Sequence, residues 1–400
     1  MIPARPDLAR LRADRRTKLA AAVDRKDAAA AVLLGTTNVR WATGARVVAA
    51  DQARSARRRN VAIVVAGDAV PHLWTHHRDG VPADHPDDHV HDGLDLESDT
   101  GAGELVVAVE SLVGRRQARV FLDEWTMPLR RAWSARLDGL VVEDAAVHLM
   151  GEVKLVKTDD ELACIRAAQQ LNEVAAADVH EALRPGLRQC DLSGLFLRRV
   201  FELGAHQNTV DPIWQVMPAS VAAGPASVTG DVVFPLVTTD RVLARGDVVW
   251  VDTGITLDGY DSDFGRTWIV GADPARAQYD QFRRWKDVVD AVLAITKPGV
   301  TGGDLCRAAI AAAGGDRRPW LPHLYLAHGI GVDSAEAPFI GTDLGDAFDD
   351  SIVLAPNMVF VLEPIAWADG TGGYRGEEIV AVTADGYELL SNFHYRPYER

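Results

Sequence analysis

The chain has 400 residues, 48% apolar and 25% charged, a balance that excludes general disorder in a length beyond the usual single core. Its 42 basic and 57 acidic side chains leave a formal net charge of −15. Such a chain repels phosphate backbones, so nucleic acid is not expected as a partner. Nor is a membrane, because no run approaches the roughly 18 apolar residues of a span.

The N-terminus, M-I-P-A-R-P-D-L-A-R-L-R, has no apolar secretory core and reads as that of a cytoplasmic protein. Cys164, Cys190 and Cys306 are odd in number and widely spaced, the usage of buried free thiols in a reducing compartment. Residues 1–148 read as one mixed α/β domain. Its β-rich runs are Ala31–Leu34, Val61–Val65, Leu105–Val109 and Arg119–Leu122, separated by helical and polar stretches. Gly35–Gly44 reads as a turn-rich loop. The acidic, histidine-bearing segment Asp84–Asp92 reads as a solvated loop rather than a metal site, since no regular element fixes its side chains together.

A second domain, residues 149–400, opens with the capping box Thr158–Glu161. Leu162, Ile165, Leu171, Val174, Val179 and Leu183 follow at helical spacing, and Pro185-Gly186 ends the helix. A later helix, Ala275–Thr296, ends the same way at Pro298-Gly299. The segments P-G-L-R-Q-C-D-L, from Pro185, and P-G-V-T-G-G-D-L, from Pro298, share Pro, Gly, Asp and Leu at the same positions, with Leu against Val at a fifth, which suggests an internal repeat.

The acidic positions repeat too. Gly246–Gly254 is a strand running into Asp252, and Asp261–Val270 is the next, carrying Asp263. Asp258-Gly259 between them is a strong hairpin signal. That turn sets Leu257 opposite Tyr260 and Asp252 opposite Gly265, with Asp263 diagonal to Asp252 on one face. In the second half, Met358–Pro364 runs into Glu363, and Glu377 opens the next strand within Gly372–Thr383. The shift that carries Pro185 onto Pro298 carries Asp252 almost onto Glu363 and Asp263 almost onto Glu377. Carboxylates gathered this way repel unless a cation or proton lies between them. His328 precedes Gly329 and Gly331, where the backbone can bend closely around a ligand. Four carboxylates and an imidazole suit one or two divalent ions such as Mn²⁺, Fe²⁺, Co²⁺ or Zn²⁺, and a pair of such ions supplies a nucleophile at neutral pH.

The run V-D-T-G-x7-D-S-D with R-T, then H-G-I-G, L-E-P and R-G-E-E, resembles the creatinase/prolidase/methionine-aminopeptidase superfamily with its pita-bread fold. The T-N-V-R-W-A-T-G segment is similar to the creatinase-type N-terminal domain of the Xaa-Pro branch. The resemblance implies an α/β (α+β) protein with a pseudo-two-fold C-terminal domain. It implies Asp252, Asp263, His328, Glu363 and Glu377 as metal ligands, with Glu363 also in the catalytic set. Arg375 is then a candidate for contacting a substrate carboxylate or an active-site acid. A homodimer and a small-molecule or short-peptide substrate are expected on the same ground.

Two departures stand out. The peptidases carry a histidine seven residues after the ligand histidine, where this chain has Ala335. They carry another about eleven residues before the Gly-Asp of the first ligand strand, where this chain has Phe234-Pro235. Losing one transition-state donor costs about 10²–10³ in rate. Tyr260, Asp261, Asp333 and His323 are the nearby groups that could substitute as acid or base or hold substrate. The leading expectation is a metal-dependent hydrolase of the Xaa-Pro peptidase type. A non-peptidase metalloenzyme is the alternative, a lyase of a small zwitterion such as dimethylsulfoniopropionate or a hydrolase of a cyclic amidine or guanidino compound. A binding module similar to histone-chaperone relatives is third.

Overall fold

The computed structural model of the protein describes residues 6–47, 58–114, 118–135, 140–217, 220, 239–315, 318–320 and 324–399. They form two compact units that divide between Lys154 and Leu155. Among the described residues, no helix is long and apolar enough to cross a membrane. Cys164 and Cys306 are buried thiols, while Cys190 is half-buried.

The first unit holds a six-stranded sheet. Its strands are β1 (Ala30–Leu33), β2 (Val61–Val65), β3 (His72–Thr75), β4 (Val90–Asp92), β5 (Ala118–Leu122) and β6 (Leu140–Glu143), in the order β4-β3-β2-β1-β5-β6. Three expectations for this unit fail. Leu105–Val109 is no strand but the middle of the helix Asp99–Val113, capped by the Ser98 side chain on the Gly101 N–H. Its valines suggested a strand, yet Ala102, Leu105, Val106, Val109 and Val113 are the buried positions, and that spacing is helical. Gly35–Gly44 is not a loop. Thr36–Thr43 is a helix whose C-cap, Gly44, has φ 77°, so the second glycine ends a helix instead of marking a turn. Asp84–Asp92 is likewise not all loop, because β4 pairs in parallel with β3 and a 3₁₀ turn, Asp87–His89, precedes it.

The second unit is built twice over. The first half packs the helices Asp159–Ala182 and Gln189–Glu202 on β7 (Gln207–Val216), β8 (Val248–Leu257), β9 (Tyr260–Asp261) and β10 (Phe264–Ile269). The second packs the helices Arg276–Ile295 and Gly302–Ala312 with β11 (Ala327–Gly329), β12 (Glu336–Ile340), β13 (Val359–Leu362), β14 (Ile365–Ala368), β15 (Gly372–Arg375), β16 (Glu378–Val382) and β17 (Tyr387–Leu389). The helix starting at Asp159 has the expected capping box, though Val174 on it is 42% exposed rather than core. Each half has its own apolar cluster, one around Phe196, Trp214 and Trp268, the other around Trp285, Trp320 and Phe360.

The repeat is physical. Arg188 bridges Val242 in one half, and Thr301 bridges Val353 in the other. The Gly186 N–H donates to the Leu243 carbonyl at 2.8 Å, and the Gly299 N–H to that of Leu354 at 2.9 Å. Both glycines are left-handed, at φ 90° and 86°, a conformation that lets the chain turn back beneath each helix.

Candidate metal centre

Asp252 lies within β8 and His328 within β11, whereas Asp263 falls just before β10, Glu363 just after β13 and Glu377 just before β16. β8 and β10 pair antiparallel with Asp252 opposite Gly265, and Leu257 lies opposite Tyr260 across the turn, as the hairpin signal requires. Asn172, fully buried on the helix Asp159–Ala182, clamps the residues next to both aspartates. Its amide donates to the Thr253 carbonyl at 2.8 Å and the Ser262 hydroxyl at 3.0 Å, while its Oδ1 accepts from the Thr253 hydroxyl at 2.9 Å. The Asp252 and Asp263 backbones are thereby fixed before any ion arrives.

The second acidic pair is tied to the first hairpin by the R-T dipeptide. The Thr267 hydroxyl donates to the Arg375 carbonyl at 2.7 Å and accepts from the Arg375 N–H at 2.9 Å. The buried Arg266 guanidinium donates to the Glu377 carbonyl at 2.6 Å, and the Glu377 N–H donates to the Gly265 carbonyl at 3.1 Å. The stretch from Gly372 to Thr383 is not one strand as expected. β15 pairs with β14, β16 pairs with β13, and Glu377 falls in the break between them. That break turns its carboxylate over Gly265, where a Cβ would lie 2.6 Å from Glu377 Oε1. The absence of a side chain at residue 265 therefore makes room for an acid supplied by the other half of the repeat. A Gly265→Ala protein is expected to bind divalent cations at least about 10-fold more weakly, an effect of the size seen when groups supporting a ligand are disturbed. Calorimetric titration of Mn²⁺ into both proteins measures this.

His328, 3% exposed on β11, has Nδ1 2.9 Å from the Gly329 carbonyl. Its Nε2 lies 3.3 Å from Asp263 Oδ2 and 3.0 Å from Glu363 Oε1. Burial pulls the imidazole pKa down, but the two carboxylates outweigh it and raise it to about 10. The flanking glycines serve a purpose other than the one expected. A side chain at Gly329 would strike the Ala337 carbonyl, and one at Gly331 would lie 2.5 Å from Glu336 Oε1. They admit the neighbouring strand rather than a ligand.

The acids lie close together. Asp252, Asp263 and Glu377 are buried and offer carboxylate oxygens within 4.8 Å of one another. Arg375 joins the rest: Nη1 donates to Asp252 Oδ2 at 3.0 Å and Nη2 to Glu363 Oε2 at 2.8 Å, with Glu377 Oε1 2.6 Å away. Arg375 thus contacts Asp252, Glu363 and Glu377 at once. Burial, against Arg375 but with Asp263 and Glu363, raises the Asp252 carboxyl to about 6, and burial drives Glu377 well above its ordinary value. Both Glu377 oxygens are buried; Oε1 is ion-paired with Arg375, and Oε2 has no hydrogen-bond partner among the described residues. A buried carboxylate oxygen without a donor, beside further acids and a histidine, fits a divalent cation, which satisfies lone pairs and repulsion together.

The remaining candidates lie as follows. The Tyr260 hydroxyl donates to Glu161 Oε1 at 2.7 Å, which ties it to the capping box. Asp261 accepts from the Thr256 hydroxyl at 2.7 Å. Asp333 is half-buried, and its carbonyl accepts from the Gly331 N–H at 3.1 Å. Ala335 is exposed just before β12. His323, Phe234 and Pro235 lie outside the described residues. Sequence reasoning missed Tyr325, whose ring meets that of His328 edge-on at 5.2 Å. Burial, reinforced by Glu363 and Asp263, pushes its hydroxyl far above the ordinary range, so it stays protonated and able to donate.

The sequence profile of metallopeptidase family M24 matches residues 163–384, more than half of the chain. The chain belongs to metallopeptidase family M24. It is 30% identical over 253 residues to the probable dipeptidase PepE of Mycobacterium tuberculosis, covering 62% of this chain and 61% of that one. It is 27% identical over 244 residues to the Xaa-Pro dipeptidase of Pyrococcus furiosus, covering 60% and 64%. Both matches thus span less than two thirds of those M24 relatives. The X-Pro aminopeptidase of Thermotoga maritima superposes with a TM-score of 0.74 at 21% identity, over 95% of this chain and 98% of that one. The M24 fold, the pita-bread architecture with its N-terminal α/β unit, is therefore this chain's fold.

Proposed function

We propose that the protein is a metal-dependent hydrolase of a short peptide or small amide. The observation that carries this reading is the buried group Asp252, Asp263, Glu377, Glu363 and His328, in which Glu377 Oε2 has no hydrogen-bond partner among the described residues. These five residues would hold one or two divalent ions, Mn²⁺, Fe²⁺, Co²⁺ or Zn²⁺. Such an ion, when bound, polarises a carbonyl and lowers the pKa of water towards neutrality. The chain's own groups do the rest. Arg375 orients Asp252 and Glu363 and offsets their charge. His328 Nδ1, held at the Gly329 carbonyl, leaves Nε2 facing the acids. Tyr325 offers a protonated hydroxyl beside them. We further propose that the protein works as a homodimer, as the likeness to the Xaa-Pro branch suggests.

Ala335 favours a second reading in which the substrate is not an ordinary Xaa-Pro peptide. Where the peptidases present an imidazole, this chain presents a methyl group, and one missing donor costs about 10²–10³ in rate. The enzyme then acts on a substrate with a more labile bond or with its own acid. The test is metal analysis followed by turnover of Xaa-Pro dipeptides and small zwitterions. Xaa-Pro cleavage is expected below a kcat/KM of about 10⁴ M⁻¹s⁻¹, the lower end of the usual enzymatic range, and Ala335→His is expected to raise it. Wild-type cleavage above that value would make the chain an ordinary peptidase. Metal-free protein with full turnover would end the metal-dependent reading.

A further inference from the structure

Residues 391–398, which follow β17, carry side chains that the site described above leaves unused. Ser391 is buried and Phe393 and Tyr395 are half-buried, while Asn392, His394 and Arg396 between them are exposed. That alternation is the period of an extended chain with one face turned inward. Phe393 packs against the apolar cluster of the first half, whereas Tyr395 and Tyr398 belong with that of the second. The segment therefore crosses the seam between the two halves of the repeat.

Its inner face meets a buried ion pair beside one of the acids of the centre. Arg266 and Glu378 are 1% and 2% exposed, with Nη2 3.0 Å from Oε1. The segment supplies further partners to both. The Phe393 carbonyl accepts from Arg266 Nη2 at 3.1 Å, and the Tyr395 hydroxyl donates to Glu378 Oε1 at 2.6 Å. The Ser391 hydroxyl donates to Glu378 Oε2. The Tyr395 ring centre lies 4.9 Å from the guanidinium carbon, within cation–π range.

We propose that residues 391–395 are a clamp that sets the metal affinity of the centre, acting through Arg266 and Glu378 on the backbone of Glu377; this rests on the metal-dependent reading above. Arg266 Nη1 donates to the Gly265 and Glu377 carbonyls at 2.8 and 2.6 Å, while Nη2 is held by the clamp. A guanidinium is a rigid planar fork, so its two ends move together. Glu378 is the chain neighbour of Glu377, and its carboxylate is fixed from the other side by Ser391 and Tyr395. The peptide unit joining the two glutamates is thus gripped at its carbonyl and at the side chain that follows. A buried ion pair adds little net stability, whereas ligand groups must be held to within about 0.5 Å of their productive geometry. So many bonds on one peptide unit next to an acid of the centre act as positioning. Arg266, Ser391 and Tyr395 are positioning residues in this scheme, since none is needed as a ligand.

The test is calorimetric titration of Mn²⁺ into the metal-stripped full chain, with the melting temperature of each metal-free protein measured alongside. The combined variant Ser391→Ala, Tyr395→Phe removes both hydroxyls from Glu378 and keeps the aromatic ring against Arg266. It is expected to bind Mn²⁺ about 10-fold more weakly, the lower end of the effect of disturbing groups that support ligands. Tyr395→Phe alone, which preserves the packing volume, should weaken binding roughly threefold, as expected for one lost hydrogen bond. Val292→Ala, a core truncation outside the clamp, should lower the melting temperature and leave the Kd unchanged. Wild-type binding that is lost in Asp263→Ala but unchanged in the clamp variants overturns the clamp and leaves the metal centre standing. An equal loss of affinity in Val292→Ala also overturns it, because general destabilisation would then suffice. A wild type that binds no Mn²⁺ overturns the metal-dependent reading and the clamp with it.

Discussion

The Asp263→Ala protein is expected to lose its divalent metal and, with it, roughly 10³-fold or more of its hydrolytic rate. That magnitude follows from the several kcal/mol a bound cation contributes to transition-state charge stabilisation, at tenfold in rate for about 1.4 kcal/mol. Asp263 is the natural choice because it touches both halves of the site, lying 3.3 Å from His328 Nε2 and within 4.8 Å of the ligand oxygens of Asp252 and Glu377. Its removal deletes a ligand while relieving repulsion among the remaining acids. Two readouts are therefore expected to move in opposite senses. Metal content and turnover fall, while the metal-free variant unfolds at no lower a temperature than metal-free wild type. Saturating Mn²⁺ should raise the wild-type melting temperature, since a ligand at 100 times its Kd adds about 2.7 kcal/mol. The variant should show no such rise. Wild-type turnover by the variant, or protein purified free of metal and fully active, would refute the assignment.

How much of this was legible in the sequence depends on how local each signal is. The β8–β9 turn was readable because Asp258-Gly259 is one of few pairs that tolerate φ of 52° and 87° in succession. Its register then carried Asp252 opposite Gly265 without further information. The doubled layout was readable because Pro-Gly helix ends and acidic strand ends recur at nearly one offset. What failed was the inference of element type from composition alone. Leu105–Val109 looks β-rich, but the buried positions of Asp99–Val113 follow a helical period. What was invisible is contact between distant residues. Nothing near Gly265 announces that its missing side chain seats Glu377, or that Thr267 and Arg266 hold the backbone of residues 375 and 377.

Arg375→Met is expected to destabilise the metal-free protein by about 3–5 kcal/mol at pH 8, the usual cost of removing one partner from a buried ion pair. At about 2–4 °C per kcal/mol for a unit of this size, the melting temperature should drop by roughly 6–20 °C. The pH dependence identifies the cause. Asp252 titrates at about 6 in the fold even with Arg375 beside it, against about 3.9 in an unfolded chain. Between those values the folded state binds more protons than the unfolded one, so this group's contribution to stability is present at low pH and is lost as pH rises through the window. Glu377 lies higher still and has the same sign. Without the guanidinium, both carboxyls should titrate higher, and the loss should continue to higher pH. The deficit of Arg375→Met relative to wild type is therefore expected to be small near pH 5 and to grow towards pH 8. Divalent cation, by compensating the same charges, should restore most of it at pH 8. If thermal unfolding without metal shows an equal deficit at pH 5 and pH 8, the arginine stabilises the fold by packing alone. The charge argument for the acidic cluster would then fail with it.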